Sequence, residues 1–132
     1  LRIGYGIAKK EFIQYLERCR QPFNVNLLAQ EAAQAALSDT TFVKKSRKIA
    51  AEGKKYLYQS LKEMGIEYIP SATNFILLNL RQDGIEVFKK LLPRGVIIRD
   101  MYQYGLKDFI RVTVGTEKEN RKFIEALKEV LS

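Results

Sequence analysis

The sequence lacks several of the residues from which common catalytic and metal sites are built. It has no histidine and no tryptophan, and only one cysteine, Cys19, among 132 residues. Without histidine, Ser-His-Asp and Cys-His sites are excluded, and a single cysteine also excludes a Cys/His zinc site and an internal disulfide. We therefore predict no metal site, and so few cysteines are typical of a cytoplasmic protein.

Long hydrophobic runs are also missing. No apolar stretch approaches the roughly 18–20 residues that cross a bilayer, so we expect no membrane association. Charges at Arg2, Lys9 and Glu11 leave no room for a signal-peptide core. The length suits one ordinary domain. Because the sequence begins at Leu1 and not at methionine, we expect it to be a piece of a longer protein.

Positive charge is what the chain has in excess. There are 23 Lys and Arg against 15 Asp and Glu, a net charge of +8. Such an excess can bind nucleic acid or an acidic partner. We favour the simpler interpretation, the solvated face of an amphipathic helix, because no nucleic-acid motif is present and Tyr56 and Tyr58 form no stacking platform. The basic residues concerned lie on one predicted helix: Lys44, Lys45, Arg47, Lys48, Lys54, Lys55 and Lys62.

The periodicity of apolar residues predicts an α/β chain, with an α+β small domain of helices packed on a small sheet. The run at Asn74–Leu80 is apolar on both faces and predicts a strand buried on both. Gly53 inside a helix implies a packing reason, and Gly65, Asp83 and Thr116 mark helix ends. The predicted order is a strand at 1–8, helices at Lys9–Arg20, about Val25–Leu37 and about Ser38–Met64, strands at Ile66–Pro70 and Asn74–Leu80, a helix at about Gly84–Leu92, strands at Val96–Ile98 and 109–114, and a helix from Thr116 to about Leu131.

Three isolated arginines stand inside predicted apolar strands: Arg2, Arg99 and Arg111. An unpaired buried charge is costly, so each must either pair with an anion or reach solvent. The guanidinium fork suits a carboxylate or a phosphate. The partner is either an Asp or Glu of this chain, a ligand, or, at a strand end, solvent.

Several segments together resemble the histidinol-phosphate aminotransferase family, within the fold-type I enzymes that use pyridoxal phosphate. The resemblance covers essentially the whole chain in the family's order. The strongest pieces are the Pro-Phe-Asn-Val-Asn segment at 22–26 and the Arg-Val-Thr-Val-Gly-Thr segment at 111–116. The others are Leu-Arg-Ile-Gly-Tyr at 1–5, Leu-Ala-Gln at 28–30, Pro-Ser at 70–71, Asn-Phe-Ile-Leu at 74–77 and Gly-Val-Ile-Ile-Arg at 95–99.

The resemblance implies a role for each of the three arginines. Arg2 would hold the phosphate of pyridoxal 5'-phosphate, and Arg111 would bind the substrate α-carboxylate. Arg99 would hold the phosphate of histidinol phosphate. The lysine that forms the Schiff base with the cofactor would lie upstream of Leu1, so no catalytic residue is expected in this chain, and the chain alone is expected to be inactive.

The same resemblance implies a division of the chain and an activity for the full-length protein. Residues 1–25 would be the last strand and linking helix of a large cofactor-binding domain, and residues 26–132 the C-terminal small domain. The enzyme, a homodimer in histidine biosynthesis, would convert histidinol phosphate and 2-oxoglutarate to imidazole-acetol phosphate and glutamate. Two alternatives stay open: a related class I/II aminotransferase with another amino-acid substrate, and a stand-alone basic α+β binding module.

Overall fold

The computed structural model describes all 132 residues, which form five α-helices and four β-strands. They group into two compact units, residues 1–44 and 45–132. The predicted domain boundary between residues 25 and 26 concerns the longer protein and stays a prediction. No helix is both long and apolar enough to cross a membrane. The helices are α1 Lys10–Cys19, α2 Leu27–Ser38, α3 Thr40–Glu63, α4 Gly84–Leu91 and α5 Glu117–Leu131; the strands are β1 Glu67–Ile69, β2 Phe75–Asn79, β3 Arg99–Asp100 and β4 Phe109–Thr113.

The first unit contains α1, α2 and the start of α3. The side chain of Asn26 caps α2 by accepting a hydrogen bond from the backbone N–H of Ala29 at 2.8 Å. The strand predicted at residues 1–8 is wrong, because residues 1–9 form no regular structure. A strand requires a neighbouring backbone, and no atom lies within 4 Å of a Cβ built on Gly4 or Gly6.

The second unit is built on an antiparallel sheet with the strand order β1-β2-β4-β3. The central pair has five residues in register, from Phe75 opposite Thr113 to Asn79 opposite Phe109. The strand predicted at Val96–Ile98 is displaced: Val96 and Ile98 are buried, but pairing with β4 occurs at Arg99 and Asp100. The predicted architecture of helices packed on a small sheet is confirmed.

The hydrophobic core covers one face of this sheet only. Ile76 and Leu78 of β2 are buried, whereas Phe75 and Leu77 are half-buried on the other face, so the prediction of a strand buried on both faces is wrong. Helices α3, α4 and α5 contribute the opposing side of the core. Residues on the uncovered side, which we call the open face, are Phe75, Leu77, Arg99, Phe109, Arg111 and Thr113.

Local features set the helix boundaries where the sequence indicates. Asp83 caps α4 by accepting from the backbone N–H groups of Ile85 and Glu86. Thr116 and Glu119 form a capping box at the start of α5. Gly65 closes α3 with φ +68°, a conformation that favours glycine.

Gly53 gives α3 its close approach to the end of β4. A Cβ at this position would lie 2.5 Å from Cγ1 of Val114 and 2.8 Å from Nδ2 of Asn120. The Asn120 side chain is buried, and it both accepts from the N–H of Gly115 and donates to the carbonyl of the same residue. The predicted packing reason for glycine in this helix is therefore confirmed.

Candidate anion-binding site

Arg111 stands near the middle of β4, on the open face of the sheet. Its flanking residues, Ile110 and Val112, are buried in the core, and Arg111 itself is half-buried. Side chains alternate along a strand, so the guanidinium is directed away from the core. Its carbon atom lies 5.0 Å from the centre of the Phe75 ring, within the range of a cation–π interaction.

Arg99 is the direct cross-strand neighbour of Arg111. The two residues are paired in the register between β3 and β4, so their side chains project from the same face. Directly opposite residues have Cβ atoms about 4.5–5.5 Å apart, and like charges in such a pair are destabilising. Arg99 lies on the edge strand and is exposed. The pair concentrates two positive charges on a small, otherwise largely apolar area.

No carboxylate of the chain neutralises this pair. The seven ion pairs of the structure involve other residues, among them Arg94 with Glu129 and Arg121 with Glu117. The side chains of Arg99 and Arg111 also make no hydrogen bond, so the internal salt bridge considered from the sequence is absent. Two unpaired guanidinium groups on one face can together bind a dianion such as a phosphate, or each can bind one carboxylate.

Arg2 belongs to the first unit, residues 1–44. It lies outside any strand, is exposed, and takes a positive φ of 63°, which is uncommon for a residue with a side chain. Its description as an arginine embedded in an apolar strand is therefore wrong. Like Arg99 and Arg111, it forms no ion pair with another residue of this chain, and its guanidinium is free to bind an anion.

Phe75 is the part of this site that sequence reasoning missed. The sequence shows it only as part of the apolar run Asn74–Leu80, whereas in the structure it lies on the open face with Arg111. The available signal was the alternation of the two strands, but this becomes informative only when the register of β2 against β4 is known.

Comparison with known proteins agrees with these observations. The model of the family "Aminotransferase class I and II" matches residues 1–127. The chain belongs to this family. The histidinol-phosphate aminotransferase of Moorella thermoacetica is 50% identical over 132 residues, which are 100% of this chain and 34% of that protein. The chain thus spans about a third of the length of the curated relatives it matches.

Solved structures related to this aminotransferase chain share its fold. The histidinol-phosphate aminotransferase of Clostridium acetobutylicum superposes with a TM-score of 0.81 and 30% identity, covering 92% of this chain and 38% of that one. The L-threonine-O-3-phosphate decarboxylase of Porphyromonas gingivalis has a TM-score of 0.77 and 31% identity, covering 95% and 40%. Both names specify a phosphorylated substrate.

Proposed function

We propose that the full-length protein is a histidinol-phosphate aminotransferase of histidine biosynthesis, which converts histidinol phosphate and 2-oxoglutarate to imidazole-acetol phosphate and glutamate. The observation that carries this proposal is the cross-strand pair Arg99 and Arg111, which has no anionic partner within the chain. The curated relative at 50% identity supports the choice of substrate. A stand-alone basic binding module is not favoured, because the chain belongs to an aminotransferase family.

The two arginines would divide the binding of two different substrates. Arg111 would bind the α-carboxylate of glutamate in bidentate fashion, which orients the amino acid against the cofactor. Histidinol phosphate has a phosphate ester on the carbon that is the carboxylate in an amino acid. A phosphate carries about two charges, and Arg99, directly opposite Arg111, would supply the second guanidinium that this larger anion requires.

The cofactor would be pyridoxal 5'-phosphate, which the family implies. The exposed and unpaired guanidinium of Arg2 fits its phosphate group. The cofactor, when bound, supplies the electron sink that amino-group transfer requires. The lysine that holds it would come from the upstream part of the protein, so the 132-residue chain alone should show no transaminase turnover.

We also propose that the full-length enzyme is a cytoplasmic homodimer. The single cysteine, Cys19, is exposed and free. A free thiol is typical of proteins in the reducing cytoplasm, which supports the proposed location. Size-exclusion chromatography with light scattering on the full-length protein would test the dimer.

Arginine substitutions in the full-length enzyme test the assignment of substrates. Arg99→Ala should raise KM for histidinol phosphate roughly 10- to 100-fold, the value of a lost charge-assisted hydrogen-bond pair, while KM for glutamate in the reverse direction changes little. Arg111→Ala should raise KM for histidinol phosphate and KM for glutamate. The matched control is Arg94→Ala, since that arginine is partly exposed and already paired with Glu129.

The role of Arg99 would be refuted if Arg99→Ala raised KM equally for phosphorylated and non-phosphorylated substrates. Turnover of another amino donor, with no turnover of histidinol phosphate by the wild-type enzyme, would favour the related aminotransferase. L-Threonine phosphate is the informative competitor substrate, because a structural relative acts on it. Transaminase activity from the 132-residue chain itself would refute its expected inactivity.

A further inference from the structure

The guanidinium of Arg111 lies near an aromatic ring. Its carbon atom lies 5.0 Å from the centre of the Phe75 ring, and no carboxylate, amide or hydroxyl of the chain bonds to it. A cation over a ring is attracted to the flat face of the ring. The hydrogen-bonding edges of the guanidinium therefore stay uncommitted, whereas a protein carboxylate would occupy them.

The register of the sheet holds the two groups together. Phe75 is paired with Thr113, and Arg111 is two residues earlier on the same strand and the same face. A diagonal pair of this kind lies about 7–8 Å apart at the backbone, which an aromatic or long side chain spans. The backbone of Phe75 is fixed in addition by the Thr73 hydroxyl, which bonds to both its N–H and its carbonyl group.

The charge of Arg99 bears on the orientation of the Arg111 side chain. Arg99 faces Arg111 across the strand pair with the same charge, so repulsion disfavours a conformation in which both forks converge. Phe75 stands on β2, on the side of β4 opposite to Arg99. The ring therefore attracts the Arg111 guanidinium toward β2, away from the side on which Arg99 lies.

We propose that Phe75 is a positioning residue, which holds the Arg111 guanidinium in place for an anionic substrate group without consuming its hydrogen-bond donors. This inference rests on the proposed function, since it deepens the assignment of Arg111. It predicts that an aromatic ring at position 75, and not merely an apolar side chain, sets the affinity for carboxylate and phosphate anions.

The test compares Phe75→Leu, which keeps apolar volume, with Phe75→Tyr, which keeps the ring, in the full-length enzyme. Calorimetric titration with 2-oxoglutarate and with inorganic phosphate measures affinity without turnover. We expect Phe75→Leu to weaken the binding of both anions roughly three- to tenfold. It should raise the KM values of the substrates by a similar factor and leave kcat within about twofold. Phe75→Tyr should restore wild-type affinity. Phe109→Leu is the matched control, a half-buried aromatic on the same face with no cation over its ring.

A double variant separates positioning from general structure. In an Arg111→Ala background, Phe75→Leu should cause no further loss of affinity, because its effect passes through that arginine. If Phe75→Leu does not fold, Phe75→Met takes its place. Three results would each overturn the proposal. Phe75→Leu or Phe75→Met could leave the anion affinity unchanged, Phe75→Tyr could bind as weakly as Phe75→Leu, or Phe75→Leu could cause an equal loss of affinity in the Arg111→Ala background. Failure of the wild-type enzyme to turn over histidinol phosphate, with anion binding intact, would instead overturn only the proposed function; a wild-type enzyme that binds neither anion would overturn both.

Discussion

A methyl group at position 53 would test the packing of α3 against the end of β4. In Gly53→Ala the new carbon would lie 2.5 Å from Cγ1 of Val114 and 2.8 Å from Nδ2 of Asn120. Both distances are shorter than van der Waals contact, so both neighbours, or the helix itself, must move. Val114 is buried, and the Asn120 amide is held by two hydrogen bonds to the backbone of Gly115.

Two effects of opposite sign decide the outcome. Alanine is favoured over glycine in a helix interior by about 1 kcal/mol. Overpacking costs about 1–3 kcal/mol, and displacing the Asn120 amide would leave buried polar groups unpaired at a further cost of about 1–3 kcal/mol. Packing should therefore prevail, and we expect Gly53→Ala to lower the free energy of unfolding by about 1–5 kcal/mol.

Urea denaturation of the 132-residue chain, followed by helical circular dichroism, measures this change. The control is Ala51→Gly at an exposed position of the same helix, which reports propensity alone and should cost about 1 kcal/mol. Val114→Ala removes the clashing methyl group, so the double variant should be more stable than the sum of the single changes predicts. A Gly53→Ala chain that is more stable by about 1 kcal/mol would refute the close approach.

Three further perturbations address the helix start and the core. Thr116→Ala removes the hydroxyl of the capping box and should cost about 1 kcal/mol in the same denaturation experiment; an unchanged midpoint would contradict the cap. Hydrogen bonds from Thr116 lower the pKa of Glu119 below its ordinary 4.5, so its stabilisation is present above that value and is lost as pH falls through the lowered pKa. The urea midpoint of Glu119→Gln should accordingly fall less steeply than that of the wild type as the pH is lowered. An equally steep fall in both proteins would contradict this role of Glu119. Leu127→Ala, at a fully buried site in α5, should cost about 2–5 kcal/mol with an unchanged denaturant slope; a loss below about 1 kcal/mol would show that the core there is not closely packed.

Local chemistry explains why the helices could be predicted from the sequence. A cap such as Asp83 or Thr116 acts on backbone groups two or three residues away, so the signal and its effect share one short segment. Gly65 ends α3 for an equally local reason, its left-handed conformation. The predicted helices accordingly agree with the observed bounds within a few residues.

Strand pairing explains why two of the predicted strands, at residues 1–8 and 96–98, differ from the structure. Alternation at residues 1–8 and 96–98 shows which way side chains point, but not whether a partner edge is present. Residues 1–9 have no partner, and the segment before Arg99 leaves the ladder although Ile98 is buried. The same limit applies to the candidate site: Arg99 and Arg111 could be selected as isolated charges, but their juxtaposition follows from a register set by the intervening turn.

The order of the strands has a consequence for how the chain folds during synthesis. β4 lies between β2 and β3, yet it is the last strand in the sequence. Until Phe109–Thr113 leaves the ribosome, only the β1–β2 hairpin can form, and an isolated hairpin is marginal in water. The apolar side chains Ile76 and Leu78 then remain uncovered and prone to aggregation. A premature stop codon just before residue 109 would thus release a chain with no stable sheet, although most of its residues had been made.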